Sequence, residues 1–235
     1  MINLGEKPLI ALPVDDKEFE KTVKTAKEKG IDIIELRIDQ FSNRSVDYVI
    51  NKASFVKELD FGIIATIRSA KEGGTHISDY ERERIFKAVA PYSDILDIEL
   101  SSETMIEKVI TISKENNCLT LISYHDFEKT PSEEEIQKII DKSVSKGADI
   151  VKYAFKAKTF DDVSKILCVT NKNKDKKLVA IAMGELGRIT RMVGFAFGSL
   201  ITYTYIGVAF APGQIEVDKL KEDMIFYGLL EEARE

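Results

Sequence analysis

Residues 130–154 read TPSEEEIQKIIDKSVSKGADIVKYA. The first part is a helix marked at both ends. Thr130 stands as N-cap, Pro131 occupies the first helical position, and Glu133, Glu134 and Glu135 face the positive end of the dipole. Ile136, Ile139, Ile140 and Val144 recur at helical spacing on one face, and Gly147 stops the helix. A short apolar run follows at once over 149–154, the length and composition of a buried strand. A helix leading directly into such a strand is one repeat of an α/β protein.

The same alternation extends in both directions. Strand candidates lie at 9–12, 32–38, 62–67, 95–100, 119–124, 149–154, 178–183 and 201–206, with helical patterns between them, one starting after Asp15 and ending at Gly30. Eight βα units in 235 residues predict an α/β fold of the (β/α)8 TIM-barrel type, a single domain over 1–235 whose site gathers at the C-terminal ends of the strands. A doubly wound open sheet is the alternative, but no Gly-rich phosphate loop follows the first strand.

Charged residues make up 31% of the chain, yet the net charge is only −6, which argues against a nucleic-acid binder. The densest basic stretch, 172–177, reads as a solvated turn before a strand. Cys118 and Cys168 lie far apart in apolar segments and read as small core residues of a reducing compartment, with no disulfide framework or zinc spacing. No signal peptide and no membrane-length apolar run is evident, so a cytoplasmic protein is expected.

Strand side chains alternate between two faces, so residues two apart share one. Ile33, Glu35 and Arg37 share a face. Ile64 and Thr66 lead to Arg68, Leu119, Leu121 and Ser123 lead to His125, and Ile150 leads to Lys152. Five ionisable groups from four strands therefore point into one mouth of the barrel. The opposite faces are apolar too and must be covered by helices. Glu35 and Arg37 alone fit a buried structural ion pair as well as a binding role. Convergence from four strands favours a site.

Lys152 sits inside an apolar run, where an ammonium must either snorkel to water or lose its proton readily. A neutral amine can attack a ketone and form an imine. Of the two histidines, His76 lies in a Gly-rich loop and reads as solvated. His125, at a strand end, is the better general base.

These residues resemble the motif set of the type I 3-dehydroquinate dehydratases, the Schiff-base enzymes of the shikimate pathway. The resemblance runs through Glu35-Leu36-Arg37-Ile38-Asp39, Thr66-Ile67-Arg68 with Glu72-Gly73-Gly74, and Ser123-Tyr124-His125-Asp126-Phe127. It continues through Val151-Lys152-Tyr153-Ala154, Met183-Gly184 with Gly187 and Thr190-Arg191, and Ala211-Pro212-Gly213-Gln214.

The resemblance implies that Lys152 forms the imine, that His125 acts as general acid and base in the elimination and also helps form and hydrolyse the imine, and that Glu72 holds His125. It implies that Arg191 takes the substrate carboxylate, that Glu35, Arg37 and Arg68 hold ring hydroxyls and carboxylate, that Gln214 closes over the ligand, and that Met183 packs against the ring. The cations of this set are expected to depress the Lys152 pKa. The implied reaction is a syn elimination of water from 3-dehydroquinate, without metal or cofactor, in a homodimer of aromatic amino-acid biosynthesis. Relatives often carry a serine before the Ala-Pro-Gly-Gln loop where this chain has Phe210, which puts one hydrogen bond in doubt. Two other readings stay open: a class I aldolase, which shares the barrel and the imine lysine, and a sensor that binds pathway intermediates without turnover.

Overall fold

The helix and strand predicted from residues 130–154 both form in the computed structural model, which describes residues 2–231. The helix spans Glu133–Ser145 and its N-cap is Ser132, not Thr130. The Ser132 hydroxyl accepts from the Glu135 amide at 3.2 Å, while the Glu135 carboxylate accepts from the Ser132 amide at 2.8 Å. This reciprocal Ser-x-x-Glu box satisfies two orphan amides at once and prevails over the Thr-Pro start. Thr130 donates its hydroxyl to the Lys156 carbonyl instead. Val144, expected on the apolar face, is 44% exposed.

Nine strands are present among the described residues: β1 (Leu9–Val14), β2 (Ile33–Arg37), β3 (Gly62–Thr66), β4 (Ile95–Glu99), β5 (Leu119–Asp126), β6 (Ile150–Lys156), β7 (Leu178–Met183), β8 (Ile201–Tyr205) and the two-residue β9 (Ile215–Glu216). The helices between them are α1 (Phe19–Glu28), α2 (Val46–Glu58), α3 (Asp79–Val89), α4 (Glu103–Glu115), α5 (Glu133–Ser145), α6 (Phe160–Lys172), α7 (Arg188–Val193) and α8 (Val217–Phe226). The strand order is β7-β6-β5-β4-β3-β2-β1-β8-β9 and every pairing is parallel, as in a (β/α)8 barrel.

Closure of the ring falls between β7 and β8, where the backbone contributes little. The Leu200 amide donates to the Leu178 carbonyl at 2.8 Å beside a lone bridge, Leu178 with Ser199. Further up, the β7 amides facing this gap find other acceptors. Ala180 donates to the Ser199 hydroxyl at 2.9 Å, Ala182 to the Thr190 hydroxyl at 3.0 Å, and Gly184 to the Pro212 carbonyl at 3.2 Å. Across the gap, the Tyr203 carbonyl accepts from Arg191 at 3.4 Å and the Thr202 hydroxyl donates to the Arg191 carbonyl at 2.6 Å. Side chains of α7 and of the segment before β8 thus satisfy groups that a β-ladder satisfies elsewhere.

Two apolar cores follow from strand alternation. Inside the ring, Leu9, Ile33, Ile64, Ile95, Leu121, Ile150, Val179 and Ile201 fill the bottom with no polar atom. Outside it, the opposite parity of each strand packs against the helices, as with Ile34, Leu36, Ile63 and Ala65. Cys118 is buried there, and burial pushes its thiol up to about 11. Cys168, expected in the core, is exposed on α6, where its position in the turn places it off the buried stripe of Val163, Ile166 and Val169.

Candidate active site

Above the apolar floor the barrel interior becomes polar, two residues further along six of the strands. Glu35, Thr66, Asp97, Ser123, Lys152 and Tyr203 form this tier, all buried. Lys152 is its hub. Its three N–H bonds have three acceptors: Tyr203 Oη at 2.9 Å, Asp97 Oδ2 at 3.3 Å and Glu35 Oε1 at 3.4 Å. Glu35 is steadied by the Thr66 hydroxyl at 2.8 Å. The expected depression of the Lys152 pKa is therefore not found. Burial lowers it, but Glu35, Tyr203 and Asp97 together outweigh both burial and Arg68, and the ammonium is held above its ordinary value. Inspection of β6 alone could not foresee this, because both carboxylates come from other strands.

Arg68 closes the network from above. It donates to Asp97 at 2.7 Å, Ser123 Oγ at 2.6 Å and Glu99 at 3.2 Å, while Arg82 of α3 reaches the other Glu99 oxygen at 2.6 Å. Burial would raise the Asp97 carboxyl, yet Arg68 and Lys152 hold it well below the carboxylate range. Lys152, Arg68 and Arg82 thus face Glu35, Asp97 and Glu99, three formal charges of each sign. Such a network can be buried because each charge is paired and hydrogen-bonded.

Next to it stands a histidine–carboxylate pair. His125 Nδ1 lies 2.9 Å from Glu72 Oε2, the same oxygen that accepts the His125 amide at 3.0 Å, and Ser101 Oγ donates to Glu72 Oε1. With Nδ1–H turned to the carboxylate, Nε2 carries a lone pair and, among the described residues, has no protein partner. Burial, Arg68 and Lys152 keep the imidazole well below its ordinary pKa, so it is neutral at neutral pH. Burial pushes Glu72 up to about 7, against the pull of Ser101 and Arg68. The Gly-rich turn makes this placement possible: a Cβ on Gly74 would stand 1.9 Å from the Arg68 carbonyl. His76, as expected, is exposed on the same turn.

The other wall comes from α7 and the loop after β8. Arg191 is buried and meets only carbonyls: Gly213 at 3.0 Å, with Tyr203 and Pro212 at 3.4 Å. Among the described residues it has no carboxylate partner, and burial lowers its pKa while leaving it far above neutrality. Gln214, expected to close over a ligand, has its amide committed to the loop. Its oxygen accepts from the Phe210 and Ala211 amides at 2.7 and 3.1 Å, and its nitrogen donates to the Thr204 carbonyl at 3.2 Å. Gly213 is required beneath it, since its φ is +78° and a Cβ would meet the Gly184 carbonyl at 2.2 Å. Arg37 makes a two-point contact with Asp39 at 2.8 and 3.0 Å.

Glu35, Arg37, Arg68, Glu72, His125, Lys152, Met183, Arg191 and Gln214 all line one cavity of about 170 Å³, together with Tyr203 and Phe210. That is room for a small molecule rather than a few trapped waters. Asp97, Glu99, Ser101 and Tyr203 were not singled out from sequence. The first two and the last obey the same alternation, Ile95-Asp97-Glu99 and Ile201-Tyr203, so the parity rule extended to β4 and β8 would have found them. Ser101 carries no such signal. Among the described residues no cluster of three or more His, Cys, Asp or Glu side chains is placed to hold a metal, and no helix is long and apolar enough to cross a membrane.

Comparison with known proteins places this arrangement in context. The family model described as type I 3-dehydroquinase matches residues 10–230. The 3-dehydroquinate dehydratase of Aquifex aeolicus is 43% identical over 214 residues, covering 91% of this chain and 96% of its own. The crystal structure of the A. aeolicus enzyme superposes with a TM-score of 0.88 at 42% identity, covering 94% of this chain and all of that one. The type I enzyme from Clostridium difficile, solved with covalently modified comenic acid, gives 0.89 at 30% identity, covering 96% of this chain and 95% of that one.

Proposed function

Because this chain belongs to the type I 3-dehydroquinase family, we propose that it is a 3-dehydroquinate dehydratase that eliminates water through an imine at Lys152. The observation that carries this reading is that Lys152 and the unengaged Nε2 of His125 open onto the same small cavity. An imine nitrogen bearing a positive charge draws in the electrons of the neighbouring C–H bond, and a neutral imidazole is the base that can take the proton.

Each resting-state feature has a use in that sequence. Lys152 gives up a proton to Glu35, its carboxylate neighbour at the cavity wall, and attacks the ketone. His125 removes the proton next to the imine, becoming an imidazolium that Glu72 stabilises through Nδ1–H. It then returns a proton to the departing hydroxyl on the same face, and water leaves syn. Hydrolysis of the product imine restores the lysine. Arg191, the cavity cation without a carboxylate among the described residues, is matched to the substrate carboxylate. The same reading carries a homodimeric, cytoplasmic enzyme of the shikimate pathway that needs no metal or organic cofactor.

The aldolase reading shares the imine but gives a different product. Purified protein mixed with 3-dehydroquinate is expected to produce the absorbance of a conjugated enone. Borohydride added during turnover is expected to inactivate it with one adduct, on Lys152, by mass spectrometry of the digest. Enone formation without any lysine adduct would overturn the imine, and absence of the enone would overturn the activity.

A further inference from the structure

We propose that Tyr203 is a catalytic residue for making and breaking the imine, its hydroxyl relaying a proton between Lys152 Nζ and the ketone oxygen. The inference rests on the imine chemistry proposed above.

Tyr203 Oη is the nearest of the three acceptors around Lys152 Nζ, at 2.9 Å, and the ring lies 4.3 Å from the same nitrogen. Of those three, Tyr203 and Glu35 line the cavity whereas Asp97 does not. A ketone carbon reaching Nζ must therefore arrive beside these two groups. Tyr203 accepts from Lys152 and, among the described residues, gives its own hydrogen to no protein acceptor. That hydrogen can turn toward a ligand oxygen. Burial, reinforced by Glu35, raises the phenol pKa despite Lys152, so it enters the reaction as a neutral O–H and suits a relay better than a stored base.

His125 also faces the cavity, with Nε2 open to it, but no hydrogen bond joins its ring to Lys152 among the described residues. Tyr203 is the proton carrier already in contact with Nζ, so it would assist His125 at the imine while His125 alone serves the elimination.

The steps balance. Glu35 takes one proton from the ammonium and leaves a neutral amine with a lone pair. The amine attacks the carbonyl carbon, forming the C–N bond and breaking the C=O π bond, so that nitrogen becomes positive and oxygen negative. Tyr203 gives its hydroxyl proton to that oxygen and receives one from the nitrogen, leaving a neutral carbinolamine and an unchanged phenol. The protonated Glu35 then returns its proton to the carbinolamine hydroxyl. Water leaves as the nitrogen lone pair forms the C=N bond, giving a protonated imine and the Glu35 carboxylate. The net change is ammonium plus ketone to protonated imine plus water.

Tyr203→Phe keeps the ring beside Lys152 and removes only the relay. In single-turnover mixing with 3-dehydroquinate, the rate at which borohydride-trappable adduct accumulates is expected to fall by about 10-fold or more, the lower reach of general acid–base catalysis. Deuterium at the carbon that loses its proton is expected to slow wild-type turnover more than that of Tyr203→Phe, because imine formation then limits the variant. A structural role would lower the thermal midpoint and leave the isotope effect unmoved. A variant that folds normally, traps adduct at the wild-type rate and keeps the wild-type isotope effect would overturn the proposal. Failure of the wild-type protein to trap any adduct would instead overturn the imine reading beneath it.

Discussion

Replacing Arg191 by alanine tests how the cavity recognises an anion. The guanidinium has five N–H donors in a fixed fork. One makes a normal bond to the Gly213 carbonyl at 3.0 Å, and two reach the Tyr203 and Pro212 carbonyls only loosely, at 3.4 Å. Two donors are left, and among the described residues no carboxylate neutralises the charge. A substrate carboxylate would meet a cation whose desolvation the fold has already borne. A charge-assisted contact of this kind is worth about 1.5–3 kcal/mol, which at about 1.4 kcal/mol per decade corresponds to a KM raised roughly 10- to 150-fold. The contact is made alike in ground and transition states, so kcat should change much less. Arg191→Lys should fall between, because it restores the charge without the fork. Steady-state kinetics by enone absorbance measures both constants. A KM within about threefold of wild type, less than 1 kcal/mol, would refute the reasoning and move the carboxylate to Arg37 or Arg68.

Two further outcomes follow from the loop and the histidine pair. Glu72→Gln should lose the acidic limb of the pH–rate profile near 7. Because the folded pKa of Glu72 is raised from 4.5 to about 7, wild type sheds stability as pH rises through that window, by at most about 3 kcal/mol, and the variant's relative stability should climb over the same range and level off above it; denaturant titrations showing a flat difference would count against a buried, ionising Glu72. Phe210→Ser should keep kcat within the same order of magnitude, since the contact that fixes the loop is the Phe210 amide to Gln214 and survives the change; a collapse of kcat in a folded variant would show that the ring itself closes the site.

The barrel was legible in the sequence because helix ends and strand lengths repeat with little interference, as the eight strand candidates and their observed counterparts show. Glu35, Arg37, Arg68, His125 and Lys152 were legible as cavity residues because an ionisable group at the inward parity of a buried strand is costly to keep there unless it is paired or serves a site. Glu72, on a turn, and Arg191, on α7, carry no such parity signal and came from the family resemblance alone. Local pattern failed where the deciding partner was remote in sequence. The charge state of Lys152 is governed by Glu35 and Asp97, which lie 117 and 55 residues away. Gln214 lines the cavity, but its sequence context does not show that the Phe210, Ala211 and Thr204 backbone groups anchor its amide. The start of α5 was misplaced because the Thr130-Pro131 pair was read as the cap and the Ser132-x-x-Glu135 box two residues on, which satisfies two amides, was not.

The gap between β7 and β8 gives the ring a hinge line. Opening any other pair of barrel strands means unzipping a ladder, whereas this one is held by a latch of separate bonds, Leu200 to Leu178, Ala180 to Ser199, Arg191 to Tyr203 and Gly184 to Pro212. Amide exchange at Ala180 and Ala182 should therefore proceed through smaller openings than exchange at the β5–β6 ladder. Arg191 belongs to both the latch and the cavity wall. Occupancy of the cavity is therefore expected to slow amide exchange along this seam more than along the β5–β6 ladder.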